Sequence, residues 1–398
     1  MKLAYLGHPH AGGTYSVFRH LRSALAPNGV ELRWLGGGDA AHAAVMAPCW
    51  AADLAFGRVA GNRSMDERAL SLALLRAVEQ ERFDGVLINV LTGQAEMNLA
   101  RYLPSRILRL MIVHNITPGT YAAARAVRDH VHATIGVSQR IRHDLVRRHG
   151  FDRERIFAIP TGIEFPLPAV PRPVRDQPLR LIYLGRIEDA AKGVFLLPRI
   201  LDGLDPRISL AIAGDGPDLP ALRARCARLG GRIAFLGEVR RELVPDLLAT
   251  HDALLMPSRY EGLGLSMIEA MAAGCVPVVT RLPGVTDTVV TDGRDGCLFP
   301  AGSVRAARRA VALLDADPAA LRRMSLAAAE TARTRFSVAQ MAERYIAVFD
   351  AAKAWASPLR PLDAADWRVP SGMRPGLRTL LPAPAKAFLR TMRERMAV

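Results

Sequence analysis

The sequence predicts an α/β protein made of two Rossmann-like domains that face a central cleft. Short apolar runs rich in Val, Ile and Leu alternate with amphipathic stretches of helical length over residues 1–165, and the same alternation restarts at residue 179. Continuous apolar strands separated by helices are typical of a parallel sheet that is covered on both faces. A Pro-rich segment at 166–178 interrupts the alternation, so we predict a linker there.

The apolar runs give the order of the predicted elements. In the first domain, strands are predicted near 2–6, 30–35, 85–90, 109–114, 133–137 and 156–159, with helices such as 14–26, 66–82 and 138–149 between them. In the second domain, placed at 179–340, strands are predicted near 180–184, 208–213, 232–236, 253–256 and 276–280, and helices at 303–314 and 318–335. Ligands of parallel sheets bind beyond the carboxyl ends of the strands, which places the expected active site in the cleft.

The chain end is predicted to differ from both domains. Helical periodicity continues over 337–355, and we expect a C-terminal helix at 341–357 to return toward the first domain. The tail 358–398 contains several prolines and eight basic residues against three acidic ones. Two interpretations stay open: a basic amphipathic helix that contacts an anionic membrane, or an arm that is solvated or packs back on the body as a strap.

Composition limits the functional classes. The 398 residues carry a net charge of +15, yet lysine occurs only four times among the 53 basic residues and the arginines are spread along the chain. No compact basic block is interleaved with aromatic residues, which argues against a nucleic-acid-binding module. No apolar run reaches the roughly 20 residues that span a bilayer, and the four scattered cysteines form no metal motif. We therefore expect a cytoplasmic protein without a bound metal.

The most informative stretch lies between the strands predicted at 253–256 and 276–280. A Gly-rich turn carries Glu261 and continues through Gly262, Leu263 and Gly264 into a helix that contains Glu269. Glycines let backbone N–H groups approach a ligand at the positive end of a helix, and the two carboxylates can accept hydrogen bonds from sugar hydroxyls. The pattern predicts a site for a phosphorylated, hydroxyl-rich ligand.

This block closely resembles the E-x7-E donor motif of retaining glycosyltransferases with the GT-B fold, namely glycosyltransferase family 4. The resemblance covers roughly residues 1–355 and is strongest from 179 to 300. It implies that Glu269 holds the ribose hydroxyls of a nucleotide, and that Glu261 and the backbone of Gly262, Leu263 and Gly264 hold the transferred sugar.

A second match to the family follows the strand predicted at 180–184. The loop from Gly185 to Gly193 carries Arg186 and Lys192, which by resemblance contact the donor diphosphate. A departing nucleoside diphosphate gains negative charge, and fixed cations aimed at that charge lower the barrier. The gap between Arg186 and Lys192 is about one residue longer than in the commonest version of the family loop.

Weaker matches complete the resemblance. The turn after the first strand contains Gly12 and Gly13, which imply a loop near the donor. His114 follows a strand and matches a family histidine near the transferred sugar, although a lone histidine in this place is commonly structural. Gly214 and Gly216 match a turn near the nucleotide base.

Two further patterns are interpreted as structural. Asp315 and Asp317 have the D-x-D form of a metal-binding motif, but Asp317 precedes Pro318 and a helical run, which predicts a helix N-cap. The glycines Gly36, Gly37 and Gly38 lack the spacing of a dinucleotide motif and predict a flexible turn.

By resemblance, the reaction moves a hexose from a nucleoside diphosphate to an acceptor hydroxyl with retention at the anomeric carbon, and it needs neither metal nor cofactor. The nucleotide can be UDP, GDP or ADP, and the acceptor a glycan, a lipid-linked sugar or a small molecule. Two alternatives stay open: another GT-B enzyme, such as a sugar-nucleotide epimerase or a phosphorylase, and a non-catalytic subunit that binds a sugar nucleotide.

Overall fold

The computed structural model describes residues 1–10, 13–90, 93–164, 177–355 and 361–374, together with 381–382, 385–386, 389 and 392. Gly12, most of the predicted linker 166–178 and much of the tail lie outside the described residues. The described chain divides into two compact units. The first comprises Met1–Gly162 and the described part of Val338–Gly376, and the second comprises the described parts of Ile163–Ser337 and Leu377–Val398.

In the described residues, the first unit is built on a parallel sheet of seven strands in the order β3-β2-β1-β4-β5-β6-β7. Its strands are β1 (Lys2–Leu6), β2 (Glu31–Gly37), β3 (Gly57–Ala60), β4 (Gly85–Asn89), β5 (Leu108–Val113), β6 (Ala133–Gly136) and β7 (Ile156–Ala158). Its first helices are α1 (Gly13–Leu25), α2 (Gly38–Met46), α3 (Glu67–Gln80), α4 (Gln94–Asn98), α5 (Pro118–Val127) and α6 (Gln139–His149).

The second unit repeats this design with a parallel sheet in the order β10-β9-β8-β11-β12-β13. Its strands are β8 (Arg180–Leu184), β9 (Ser209–Ala213), β10 (Ile233–Gly237), β11 (Ala253–Met256), β12 (Val276–Thr280) and β13 (Cys297–Phe299). Its helices are α7 (Asp189–Lys192), α8 (Leu196–Leu201), α9 (Leu219–Cys226), α10 (Val244–Ala249), α11 (Leu265–Ala272), α12 (Val304–Ala316) and α13 (Pro318–Arg335), and α14 (Val338–Ala354) then returns to the first unit.

Hydrophobic periodicity explains why the predicted elements form. Central strands such as β4 and β5 are buried along their whole length, as expected for a sheet covered on both faces. The parallel α/β fold predicted from the sequence is confirmed. Two strands were not predicted, β3 and β13. Both are short and lie at sheet edges. β3 is interrupted by Arg58, and the apolar run of β13 has only three residues.

The interpretation of Gly36, Gly37 and Gly38 as a flexible turn is wrong. Gly36 and Gly37 end β2, and Gly38 begins α2. A Cβ atom on Gly36 would lie 2.8 Å from the carbonyl oxygen of Gly7, so close packing of strands explains the absence of a side chain there.

The described tail residues 361–374 pack against the first unit as a strap. Gln94 Nε2 donates to the Met373 carbonyl at 3.1 Å, Asn98 Nδ2 donates to the Arg368 carbonyl at 3.0 Å, and the Leu362 N–H donates to the Arg101 carbonyl at 2.8 Å. This part of the tail therefore follows the strap interpretation. Every helix in the described part of the chain is too short or too polar to cross a bilayer.

We expect removal of residues 361–398 to lower the melting temperature by about 5 to 10 °C, because Asn98 and Arg101 are buried and would lose hydrogen-bond partners. Differential scanning calorimetry of the purified protein measures this change. A shorter truncation that removes only 375–398 leaves the strap in place and serves as the control. Equal melting temperatures for the two truncations would contradict a stabilising role for the strap.

Candidate functional site

The residues predicted for the donor half of the site lie where the sheet order of the second unit reverses. β8 lies between β9 and β11. The chain adds β9 and then β10 on one side of β8, and it adds β11, β12 and β13 on the other side. The loop after β8 carries Arg186 and Lys192, and the loop after β11 carries Glu261. Such a switch point leaves a crevice at the carboxyl ends of the strands, where ligands of doubly wound sheets bind.

Glycines allow the loops of this crevice to pack directly on one another. Gly193 ends α7 with a φ of +62°, and a Cβ atom there would lie 2.2 Å from the Pro257 carbonyl oxygen. Gly214 has a φ of +135°, and its Cβ atom would lie 2.0 Å from the Gly185 carbonyl oxygen. Neither position accepts a larger residue without movement of the backbone, so the loops after β8, β9 and β11 form one packed cluster.

Lys192 and Glu261 form an ion pair at the centre of this cluster. Lys192 Nζ lies 2.7 Å from Glu261 Oε1 and 2.8 Å from Oε2. Ser258, which is fully buried, donates a further hydrogen bond from Oγ to Glu261 Oε1 at 2.7 Å. The Glu261 carboxylate is nearly buried, whereas Lys192 remains partly exposed. Charge-assisted bonds of this kind fix the carboxylate in one orientation while the ammonium stays accessible to a second anion.

A second ion pair joins the same two loops. Arg259 Nη2 lies 2.8 Å from Asp189 Oδ2, and Arg259 Nε donates to the Asp189 carbonyl at 3.0 Å. The Arg259 N–H also donates to the Ala191 carbonyl at 2.8 Å. These bonds hold the segment before Glu261 against α7, and they therefore help to keep Lys192 beside Glu261.

Arg186 occupies the exposed rim of the loop after β8. Its Nε lies 3.6 Å from Glu188 Oε2, and about two thirds of its side chain is exposed. Its carbonyl accepts a hydrogen bond from the hydroxyl of Tyr183 at 2.7 Å. Burial, followed by the charges of Glu261 and Glu188, raises the pKa of Tyr183 far above its usual range, so the hydroxyl stays a donor. The structure thus fixes the backbone of Arg186 and leaves its guanidinium in solvent.

Glu269 lies about one turn along α11, eight residues after Glu261, and is partly buried. None of the residues that the structure describes donates a hydrogen bond to its carboxylate. Burial raises the pKa of Glu269, and the positive charge of Arg241 offsets part of this rise. A carboxylate in this condition gains stability when a ligand hydroxyl donates a hydrogen bond to it.

The glycines predicted to contact the donor lie beside these groups. Gly264 precedes the first residue of α11, and no side chain caps this helix start. The Met267 N–H donates to the Gly264 carbonyl at 3.0 Å, so within the first turn the N–H groups of Leu265 and Ser266 are the ones available to a ligand. Leu263 is buried and Gly262 is partly exposed. Gly216 lies against the loop after β8, since a Cβ atom there would approach the Ile187 carbonyl oxygen to 2.3 Å.

The predicted residues of the first unit lie at the carboxyl ends of β1 and β5. His114 follows β5, and its Nε2 lies 2.8 Å from Asn89 Oδ1 at the end of β4. Burial lowers the pKa of His114 to about 4. Gly13 begins α1, close to His10, whose Nε2 lies 2.7 Å from Thr14 Oγ1. Gly12 lies outside the described residues.

The D-x-D pattern has a structural explanation. Asp317 caps α13, accepting a hydrogen bond from the Ala320 N–H at 2.9 Å, which confirms the N-cap prediction. Asp315 Oδ1 accepts from the Leu179 N–H at 3.1 Å. No group of three or more His, Cys, Asp or Glu side chains suited to hold a metal occurs among the described residues.

Sequence reasoning missed three side chains of the site: Ser258, Tyr183 and Asn89. Ser258 lies three residues before Glu261, so its place in the turn was visible, but its hydrogen bond requires the folded loop. Tyr183 and Asn89 lie on β8 and β4, where the pattern gives no sign that a polar atom at a strand end contacts a neighbouring loop.

Comparison with known proteins finds a family match within the second unit. Residues 178–317 match the family described as Glycosyl transferases group 1. Over 192 residues the chain is 33% identical to a glycogen synthase of Mycobacterium tuberculosis (strain ATCC 25618 / H37Rv), a match that covers 47% of this chain and 46% of that protein. A match of 247 residues to the alpha-maltose-1-phosphate synthase of Mycolicibacterium smegmatis is 29% identical and covers 54% of this chain and 62% of that protein. Each match thus spans less than two thirds of the relative.

Solved structures agree over more of the chain. The structure of Anabaena Alr3699/HepE in complex with UDP and glucose has a TM-score of 0.71 and 18% identity, and the alignment covers 88% of this chain and 100% of that one. A sucrose-phosphate synthase from Thermosynechococcus elongatus has a TM-score of 0.70 and 20% identity, with coverage of 88% and 99%. The GT-B fold predicted from the sequence is confirmed.

Proposed function

We propose that this protein is a retaining, metal-independent glycosyltransferase of family 4 that moves a hexose from a nucleoside-diphosphate sugar to an acceptor hydroxyl. The observation that carries the proposal is the Lys192–Glu261 ion pair, supported by Ser258, at the switch point of the second unit. It places a cation and a carboxylate side by side where a sugar diphosphate needs both. The match of residues 178–317 to Glycosyl transferases group 1 supports the same activity.

The roles follow from the chemistry of each group. Lys192 and Arg186 stabilise the diphosphate as its negative charge grows, and the first turn of α11 adds N–H donors. Glu261 accepts hydrogen bonds from hydroxyls of the sugar, and Glu269 accepts them from the ribose. In this proposal Gly214 and Gly216 form the turn near the nucleotide base, and Gly12, Gly13 and His114 contact the donor. The two cations make a metal unnecessary for charge neutralisation in this proposal.

The proposed step proceeds on one face of the sugar. The acceptor oxygen bonds to the anomeric carbon as the bond from that carbon to the phosphate oxygen breaks. The bonding electron pair goes to the phosphate oxygen, which takes the proton from the acceptor hydroxyl. Attack and departure on the same face retain the anomeric configuration. The acceptor can be a glycan, a lipid-linked sugar or a small molecule.

A nucleotide screen tests the donor. UDP, GDP and ADP are added to the full chain, and the melting temperature is followed; a ligand at about 100 times its Kd stabilises the folded state by about 2.7 kcal/mol. The UDP complex of the Anabaena protein makes UDP the first candidate. Incubation with the corresponding donor and analysis of products then separate transfer from epimerisation, phosphorolysis or binding alone. Absence of stabilisation by all three nucleotides would overturn the proposal.

Replacing Glu269 by glutamine should weaken binding of the selected nucleotide about 10- to 100-fold, because hydrogen bonds from ribose to a charged carboxylate are lost. Isothermal titration calorimetry measures the affinity. In the wild type, affinity should also fall as the pH is lowered through the raised pKa of Glu269, since only the ionised carboxylate accepts both hydroxyls. The exposed Glu343 of α14, changed to glutamine, is the matched control. Unchanged affinity would remove Glu269 from the site.

A further inference from the structure

Asn89 links the ends of three neighbouring strands in the first unit. It is the last residue of β4, is 1% exposed, and donates from Nδ2 to the Leu6 carbonyl at the end of β1 at 2.9 Å. Its Oδ1 lies 2.8 Å from Nε2 of His114, which follows β5. A single buried amide therefore connects β1 with the histidine predicted to approach the sugar.

The neighbours of this amide determine its orientation. A carbonyl oxygen can only accept a hydrogen bond, so the amide nitrogen of Asn89 must face Leu6. The amide oxygen is left to face His114, and the reversed orientation would set oxygen against oxygen.

The orientation of Asn89 decides which nitrogen of His114 carries the proton. Because an amide oxygen can only accept, Nε2 of His114 must be the donor in the 2.8 Å contact. Burial accounts for the lowered pKa of His114, and no charged side chain among the described residues contributes to it. The ring is therefore neutral near pH 7, with a proton on Nε2 and a lone pair on Nδ1.

We propose that Asn89 is a positioning residue that holds His114 in the Nε2–H tautomer, so that Nδ1 accepts a hydrogen bond from a hydroxyl of the transferred sugar. This inference rests on the proposed glycosyl transfer and deepens it, because it makes the histidine an acceptor for a hydroxyl and excludes it as a proton donor to the leaving group. None of the described side chains occupies Nδ1, which leaves it available to a ligand.

Nuclear magnetic resonance of the full chain, labelled with ¹⁵N histidine, tests the tautomer directly. The His114 signals are assigned by their absence in His114→Asn. The expected result is a protonated Nε2 and an unprotonated Nδ1, with no titration between about pH 8 and pH 5.5, since a ring with a pKa near 4 is already neutral throughout that range. A protonated Nδ1, or an imidazolium near pH 7, would overturn the proposal whether or not turnover is detected.

Two substitutions of Asn89 distinguish positioning from a merely structural role. Asn89→Asp keeps an acceptor for Nε2 but sets a carboxylate beside the ring, so the pKa of His114 should rise. Transfer by this variant should then fall at low pH relative to the wild type, since the imidazolium has no acceptor at Nδ1. Asn89→Ala should lower kcat about tenfold, as expected for loss of one oriented hydrogen bond. The exposed Asn28, changed to aspartate, is the control.

The histidine itself supplies the remaining test. His114→Asn keeps a polar group near the position of Nδ1 and should retain more activity than His114→Gln, which keeps one near Nε2 only. The donor with its sugar should shift the wild-type Nδ1 resonance, and the nucleotide alone should not. A pH profile of Asn89→Asp that matches the wild type, or a larger loss in His114→Asn than in His114→Gln, would overturn the proposal. A wild type that binds the donor but transfers no sugar would instead contradict the proposed function alone.

Discussion

Glu261→Gln should lower kcat/KM for sugar transfer about 10²- to 10³-fold, the loss expected when one preorganised charged contact to the reacting sugar is removed. Glutamine has nearly the same shape, so Ser258 can still donate to its remaining oxygen. The negative charge that the sugar hydroxyls and Lys192 require is lost. Steady-state kinetics with the nucleotide sugar chosen by the thermal-shift screen measure the change.

The controls for this substitution separate chemistry from folding. Lys192 is partly exposed, so loss of its partner should lower the melting temperature only modestly, and affinity for the nucleotide alone should stay near that of the wild type. Glu343→Gln removes a carboxylate from an exposed part of α14 and should change neither quantity. If Glu261→Gln kept the wild-type kcat/KM, Glu261 would have no role in binding the sugar.

Lys192→Met should lower kcat about 10²- to 10³-fold, because the substitution removes the compact cation proposed to stabilise the departing diphosphate. It also leaves the nearly buried carboxylate of Glu261 without its counter-charge, so affinity for the nucleotide should fall as well. Lys192→Arg should recover only part of the activity, since a planar guanidinium on a longer side chain cannot reproduce the two contacts of 2.7 and 2.8 Å.

Lys353 provides the matched control for the lysine. It lies on α14 in an exposed pair with Asp350, and Lys353→Met should behave as the wild type. The double variant Lys192→Met with Glu261→Gln should lose less than the product of the single effects, because each single change already breaks the same pair. Independent effects in this cycle would show that the ion pair does not act as a unit.

Most of the fold could be predicted from the sequence because its central strands are continuous apolar runs. The runs at 85–90 and 253–256 predict β4 and β11 within one or two residues, and the cap of α13 by Asp317 follows from Asp before Pro. The strands β3 and β13 could not be predicted, since Gly-Arg-Val-Ala is interrupted by an arginine and Cys-Leu-Phe has only three residues, so neither stands out as an apolar run. Likewise, close packing at Gly36 depends on the Gly7 carbonyl, which the local sequence does not reveal.

In the candidate site, too, local features could be predicted from the sequence, whereas contacts between distant residues could not. The spacing of Glu261 and Glu269 in the sequence indicated a ligand-binding turn, and resemblance paired the turn with Lys192. The contact of Lys192 with Glu261 spans 69 residues, and that of His114 with Asn89 spans 25. Such contacts depend on which strand ends become neighbours in the sheet. The sequence therefore predicted the kinds of groups in the site, whereas the order of the strands decided their partners.

The return of α14 to the first unit makes that unit discontinuous in the chain, with a consequence for synthesis on the ribosome. Tyr345 and Phe349 of this helix are buried, and α14 packs on α1. While Ile163–Ser337 is being translated, which takes roughly 10 to 35 s at usual elongation rates, the nascent first unit lacks the helix that covers this surface. The sheet of the second unit and its helices α7 to α13 all lie within the contiguous stretch Ile163–Ser337, so this core can form as soon as that stretch emerges. Maturation of the two halves is thus expected to run opposite to their order of synthesis.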